Sequence, residues 1–442
     1  MIDSSFRDPS GHVFEQDGVV YREINDTYKG TLAKLVECGL YDNLVKDELI
    51  VPFETISEGI IKPEIVEFIS YPYEWCFSQL KDAASVTLEV MKRSLEFNMI
   101  LKDASAYNIQ FHKGRPMLMD HLSFEVYNRG EPWAAYKQFC EHFLAPLALM
   151  SFRDVRLGQL LRVHIDGIPL DLTNSLLPFH SYLSFHLLLH IHAHSKSQKR
   201  YADRGRKVQG RIRKISLSGL VDSLESCIKG LRWKPKGTEW SNYYGGDGEY
   251  IESKKELVGE FLDKCRQRTI WDLGSNTGLF SRIASNEGIQ TVSFDADPAC
   301  VEVNYLTAKS KGETHILPLL LDLTNPSPGI GWGNKERLPV WKRGRADTVL
   351  ALAFIHHLAI SNNLPLGMIA SFLKELCGSL IIEFIPKEDL KVQKLLSTRE
   401  DIFPNYTREA FEEEFRRLFS IEARSEIGSS GRVLYLMRRI DK

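Results

Sequence analysis

From residue 269 onward the chain alternates between two hydrophobic periods. Short, near-continuous apolar runs ("TIWDLG", "TVSFD", "HILPLLL", "ADTVLALA", "SLIIEFI") are separated by stretches whose apolar positions recur at helical spacing ("FSRIASNEG", "PACVEVNYLTAKS", "PLGMIASFLKEL"). Strands that are apolar on both faces must be covered on both faces. The pattern therefore predicts an α/β fold with an open, mostly parallel sheet between two helical layers. The end of the chain reads differently. In "EAFEEEFRRLF" the residues Phe411, Phe415, Leu418 and Phe419 share a helical face, and the strands "SIEARSEI" and "RVLYLMRRI" follow. These predict a closing hairpin of antiparallel edge strands.

The first half has another order: a strand pair ("GHVFEQDGVVYREI"), a helical run ("TLAKLVECGLYDNLV"), a strand-like "EIVEFIS", an aromatic turn ("YPYEW") and a long helix toward Asn98. This is an α+β arrangement. Between the halves, residues 195–215 ("SKSQKRYADRGRKVQGRIRKI") are crowded with Lys and Arg and nearly empty of apolar residues. They read as a solvated basic linker, with a patch for an acidic or nucleic-acid partner as the sharper alternative. The expected organisation is a domain over 1–194, the linker over 195–215, and a second domain over 216–442.

Composition narrows the setting. With 442 residues, 43% of them hydrophobic, the chain can build two or three cored domains. A net charge of −2 gives no whole-chain attraction to nucleic acid or anionic membrane, so such binding would have to come from the linker. The 7 cysteines are scattered and free of any C-x-x-C pair, which fits a reducing cytoplasm better than a disulfide framework or a zinc site. The N-terminus has no signal pattern, and the apolar run "FLAPLALM" is too short to cross a bilayer. His186, His190 and His194 fall on one helical face at metal-ligand spacing, but no Cys or carboxylate completes a set and the interleaved Leu and Ile read as core. No metal is expected at these histidines.

In parallel sheets, ligands bind beyond the carboxyl ends of the strands, where strand order reverses. Asp272 ends the first strand of the second half and opens "DLGSNTG", in which Gly274 and Gly278 permit a tight turn before a helix N-terminus. Asp295 ends the next strand in "SFDADP", where a carboxylate can accept both hydroxyls of a ribose, and Asp322 follows the third strand in "LLLDLTNP". An acidic residue after each of three successive strands suits an adenosine with a free ribose.

These motifs, in this order and spacing, resemble those of class I S-adenosylmethionine-dependent methyltransferases over roughly residues 230 to 440. More narrowly, they are similar to bacterial methyltransferases grouped with rhizobial nodulation host-specificity proteins. The resemblance implies a seven-stranded Rossmann-like sheet binding S-adenosyl-L-methionine. Asp272 and the turn Gly274, Ser275, Asn276, Thr277 and Gly278 would face the methionine part, Asp295 the ribose, and Asp322 with Leu323 the adenine. Asn276 stands where a central glycine is frequent, and Asn tolerates left-handed backbone angles best among the non-glycine residues. The fourth strand ends in "LALAFIHHLAISNN", beside the methyl group in the family's fold, which makes His356 and His357 the candidate catalytic bases or acceptor ligands. The alternative is that one of them is a capping or hydrogen-bonded structural histidine. The segment lacks the Asn/Asp-Pro-Pro-aromatic signature of amino-methylating relatives, and the acceptor stays open.

Two further segments are candidates for shaping the acceptor pocket. "GTEWSNYYGGDGEY" gathers Trp240, Tyr243, Tyr244 and Tyr250 as a lid or as packing against the sheet, and "PKEDLKVQKLLSTREDIFPNYT" is a specificity insertion or a surface helix.

In the first half, Asp103 and Asn108 of "ILKDASAYNIQFHKGRPMLMDHLSF" reproduce the D-x-x-x-x-N spacing of a kinase catalytic loop, and Asp120 falls after the next strand. With the element order upstream, this resembles aminoglycoside-phosphotransferase-like kinases, which implies a possible Mg-ATP site. The departures are a missing G-x-G-x-x-G loop, Arg22 in place of the phosphate-pairing Lys, and Asp120-His121-Leu122 in place of Asp-Phe-Gly. The leading expectation is thus a methyltransferase acting on an unidentified acceptor, with a kinase-like domain that recognises or presents substrate. The alternatives are an ATP-dependent phosphotransferase and a non-catalytic nucleotide-binding scaffold.

Overall fold

The structure is a computed structural model, and it describes residues 5–193, 214–235, 248–265, 267–397 and 399–440. The basic linker, apart from its last two residues, lies outside the described residues, as do His194, Trp240, Tyr243 and Tyr244. The chain divides into two compact units. One comprises residues up to Lys234 together with Gly329–Leu338, and the other Pro235–Pro328 together with Pro339–Lys442.

In the first unit, β1 (Gly11–Gln16), β2 (Val19–Ile24), β3 (Phe53–Ser57) and β4 (Ile60–Pro63) form an antiparallel sheet in the order β1-β2-β4-β3. A 20-residue helix, Phe77–Glu96, buries Leu80, Ala83, Ala84, Leu88 and Met91 along one face. Two small antiparallel pairs follow: β5 (Met99–Leu101) with β8 (Phe124–Val126), and β6 (Ile109–His112) with β7 (Arg115–Leu118). The strand expected at "EIVEFIS" is absent; β4 stops at Pro63. Part of the reason is that the backbone there finds side-chain partners, since the Gln110 amide accepts from Ser70 N and donates to Ser70 O, each at 2.9 Å.

The first unit also keeps the helix Lys214–Gly230, which the sequence assigned to the second domain. That helix buries Leu217, Val221, Leu224 and Ile228, and its Ser223 Oγ lies 3.2 Å from His186 Nδ1 and 2.9 Å from His190 Nε2. The loss of apolar residues after 194 marks where the chain leaves this core. It carries no sign that the next helix returns to it.

In the second unit, a 7-stranded sheet has the order β11-β10-β9-β12-β13-β15-β14, with β9 (Thr269–Leu273), β10 (Gln290–Asp295), β11 (Ile316–Leu320), β12 (Ala346–Ala351) and β13 (Cys377–Phe384) parallel. The strands β14 (Phe419–Glu426) and β15 (Val433–Arg439) form an antiparallel hairpin on the β13 edge. Strand order reverses between β9 and its neighbours β10 and β12. The helix Arg408–Arg416 lays Phe411 and Phe415 against the sheet; Phe419, expected on the same helical face, instead opens β14 and is equally buried, and Leu418 lies past the helix end, only partly buried. Among the described residues, no helix is long and apolar enough to cross a membrane.

The Phe411 ring lies 4.4 Å from Phe415, 5.1 Å from Phe384 and 5.2 Å from Tyr435, with no exposed surface. Phe411→Ala is expected to destabilise the second unit by about 3–5 kcal/mol, because it removes a ring and leaves a cavity. A urea unfolding curve checks this; an unchanged midpoint would show that the aromatic layer does not hold the unit together.

Candidate functional site

The turn after β9 sits at the reversal of strand order. Gly274 N and Ser275 N both donate to Phe294 O at 2.9 Å, so the turn is tied to the end of β10. Three of its residues have left-handed angles: Gly274 (φ 76°), Asn276 (φ 52°) and Gly278 (φ 78°). At Gly278 the left-handed angle favours glycine, and a Cβ there would have to displace the side-chain ends of Asn304 and Arg282. Asn276 adopts its conformation with local support, its Oδ1 accepting from Thr277 N at 2.8 Å.

The carboxylates at the strand ends have different surroundings. Asp272 is buried and accepts from Ser281 Oγ at 2.6 Å; Ser281 continues to Ser293 at 3.0 Å, and Ser293 accepts from Asn304 Nδ2 at 2.8 Å. Asp295 accepts from Asn276 N at 2.7 Å and from Asp297 N at 2.8 Å. Burial pushes both carboxyls up to about 6, against hydrogen bonds that pull them down; the Asp295 charge adds to the rise at Asp272, and Lys254 opposes it. Leu321 N donates to Asp295 O at 2.8 Å, which sets Asp322 next to Asp295. Asp322 itself is exposed and bonds Thr324 N and Oγ1 at 2.8 and 2.7 Å, while Leu323 is half-buried. On the same edge, the buried atoms Ser275 Oγ and Asp297 Oδ2 have no hydrogen-bond partner. Orphaned polar atoms of this kind suit a polar ligand in the turn.

Beyond β12 the chain turns through Ala353, whose φ is 50°, and sets Phe354 against the β9 turn: a Cβ on Gly274 would lie 3.0 Å from its ring. His356 is buried, its Nδ1 has no partner, and its ring centroid is 4.1 Å from that of His357. Burial, then the neighbouring His357, lower its pKa well below the usual imidazole range, so His356 is neutral.

Sequence reasoning missed the charged group beside this turn. Glu383, near the end of β13, has no exposed surface and accepts from Lys254 Nζ at 2.5 Å, Tyr250 Oη at 2.7 Å, Ala353 N at 2.8 Å and Arg432 Nη1 at 3.4 Å. Arg432 also donates through Nε to Asp389 at 2.7 Å. Burial alone would raise the Glu383 carboxyl, but Lys254 and Arg432 outweigh it and hold it at about 2. Burial draws the Lys254 ammonium below its ordinary value, with Glu383 opposing. Two signals were present: a Glu inside the apolar run "SLIIEFI", and a Lys on the buried stripe Ile251, Lys254, Val258, Phe261. The insertion after β13 is in part the helix Leu390–Leu396, N-capped by Asp389.

In the first unit, Asp103, Asn108 and Asp120 converge. Asp103 accepts from Ser105 N at 2.9 Å, Asn108 Nδ2 donates to Ser123 Oγ at 3.2 Å, and Ser123 Oγ donates to Asp120. Burial and the Asp120 charge raise the Asp103 carboxyl. The Arg22 guanidinium pairs with Asp120 through Nη1 and with Asp8 through Nη2 at 2.7 Å. Burial would raise Asp120, but Arg22 and Ser123 hold it below its ordinary value. His121 is buried with Nε2 2.6 Å from Val51 O, and burial takes its pKa down to about 4. His190 lies 2.8 Å from Tyr136 Oη, and with His186 it shares Ser223. Among the described residues, no group of three His, Cys, Asp or Glu could hold a metal ion.

No family model matches the chain. Among solved structures, it is similar to the N-methyltransferase NodS from Bradyrhizobium japonicum WM9 in complex with S-adenosyl-L-homocysteine (10% identity, 46% of this chain and 93% of that one, TM-score 0.35). It is also similar to the PH0226 protein of Pyrococcus horikoshii OT3 (17% identity, 46% and 100%, TM-score 0.33) and to the 16S rRNA methylase ArmA (17% identity, 45% and 88%, TM-score 0.32). At such TM-scores these likenesses decide nothing about the site. Among curated proteins, the nodulation protein NoeA of Rhizobium meliloti (strain 1021) is 35% identical over 457 aligned positions, covering 99% of this chain and 96% of its own length. With identity at that level across essentially both whole chains, this protein belongs to the NoeA family.

Proposed function

We propose that the second unit is an S-adenosylmethionine-dependent methyltransferase. One observation carries the reading: at the reversal of strand order, Asp272, the left-handed turn Gly274 to Gly278, Asp295 and Asp322 share one sheet edge, where Ser275 Oγ and Asp297 Oδ2 are buried without partners. The residues fit the cofactor. Asp295 would accept the ribose hydroxyls, Asp272 and the turn would meet the methionine part, and Asp322 with Leu323 would frame the adenine. Bound there, the cofactor supplies a methyl group on an already activated sulfonium.

What remains for the chain is alignment, exclusion of water and, where the acceptor loses a proton, a base. His356 is the candidate base because its Nδ1 is buried without a partner and His357 stands beside it; the burial that keeps it neutral also opposes its taking a proton. The acceptor is unidentified. The first unit is read as a kinase-like domain that recognises or presents that acceptor. Phosphoryl transfer is disfavoured there because Arg22 already neutralises Asp120, the residue that would hold magnesium.

Calorimetric titration with S-adenosylmethionine tests the reading. Micromolar binding is expected for the wild type and for Asp120→Ala, and loss of binding for Asp272→Ala; loss in Asp120→Ala alone would move the site to the first unit. Mg-ATP should give no Asp120-dependent turnover.

Asp295→Ala should weaken cofactor binding by about 1–3 kcal/mol, since it removes a charged acceptor of ribose hydroxyls. Wild-type affinity in that variant would place the ribose elsewhere.

The same residue sets a pH dependence. Ribose hydroxyls donate to the ionised carboxylate, and the unliganded carboxyl titrates at about 6. Binding therefore expels the proton, so affinity should be level above pH 6 and fall as pH drops through that value. Affinity flat from pH 7.5 to 5 would contradict this assignment.

A further inference from the structure

We propose that Glu383 is a positioning residue for methyl transfer, acting through the turn that follows β12; the proposal rests on the methyltransferase reading above. Tyr250 and Lys254 on the helix Gly248–Asp263, and Arg432 just before β15, hold the carboxylate from three directions. The fourth partner is of another kind: a backbone amide, Ala353 N, belonging to the turn itself. A carboxylate fixed by three side chains fixes that amide in turn.

The amide needs fixing. Ala353 has a φ of 50°, a conformation that an alanine keeps only where its surroundings impose it. The consequence reaches both halves of the site. Phe354, the next residue, lies against Gly274 of the cofactor turn, and His357 N bonds back to Phe354 O at 3.0 Å, which sets the pitch on which His356 and His357 stand. One buried carboxylate thus holds the cofactor turn and the paired histidines in register. An ion cluster serving stability alone would be complete with Lys254, Tyr250 and Arg432, and would have no need of this amide.

The test uses the full-length chain, calorimetric titration with S-adenosylhomocysteine, the imidazole NMR signals of His356 and His357, and a urea unfolding curve for each variant. Glu383→Gln and Ala353→Val should each weaken binding at least tenfold and shift both imidazoles. The first loosens the clamp, and the second puts a β-branched residue at a positive φ while leaving the ion cluster intact. Ala353→Gly, which tolerates the angle without help, should bring the Glu383→Gln protein back to within threefold of wild type. If Ala353→Val binds as wild type with unshifted imidazoles, or if a folded Glu383→Gln is not rescued by Ala353→Gly, the positioning role is overturned. If Glu383→Gln does not fold, Ala353→Val decides. No binding by the wild type would overturn the methyltransferase reading and this proposal with it.

Discussion

The second unit is organised by a physical constraint at the ends of its parallel strands: acidic groups are placed where water is largely excluded, and each must be satisfied or neutralised. Glu383 meets the constraint by ionisation. Two cations, a phenol and an amide converge on it, and the attraction outweighs the cost of burial. Such a cluster is weak support for stability, because an apolar replacement of the same shape is often as stable. Removing one member is another matter, costing about 3–5 kcal/mol by leaving a buried charge unpaired. The cluster is therefore better understood as fixing one arrangement than as holding the sheet together. The turn at Ala353 shows what is fixed: a left-handed alanine costs roughly 1–2 kcal/mol, and the Glu383 contact is among the interactions that maintain it.

Asp272 and Asp295 meet the same constraint in the opposite way. Hydrogen bonds support each, yet burial still raises their carboxyls to about 6. A group whose folded pKa is raised contributes stability that is full below its unfolded value and is lost as pH climbs through the folded one. Near neutrality both therefore work against the ligand-free fold. Raised strand-end carboxyls beside buried polar atoms without partners are what the proposed cofactor site would need. Glu383, whose lowered pKa has the opposite sign, completes its partners within the chain. The shifts thus run in opposite directions at the two strand-end aspartates and at Glu383.

Much of this was legible in the sequence because the signals were local. Near-continuous apolar runs specify strands buried on both faces, and the turn "DLGSNTG" carries its glycines and asparagine where the backbone adopts left-handed angles. The Phe411 and Phe415 stripe marks its helix in the same way. What escaped depended on contacts distant in sequence. Glu383 meets Lys254 across 129 positions and Arg432 across 49, and no local pattern encodes the pairing. The helix Lys214–Gly230 was assigned to the wrong side of the boundary for the same reason, its partners being Lys92, His186 and His190. "EIVEFIS" misled because the alternation of a strand says nothing about whether a neighbouring strand or a Gln110 side chain satisfies its backbone.

The first unit applies the same electrostatic rule to a different end. Asp103, Asn108 and Asp120 are brought together in the spacing that a phosphoryl-transfer site needs, but a side chain supplies the cation. Arg22 pairs with both Asp120 and Asp8, and so takes up charge that a metal ion would otherwise have to balance. A guanidinium does this at fixed geometry and at every physiological pH, whereas a bound metal can leave and return with nucleotide. The cluster has thus become part of the fold.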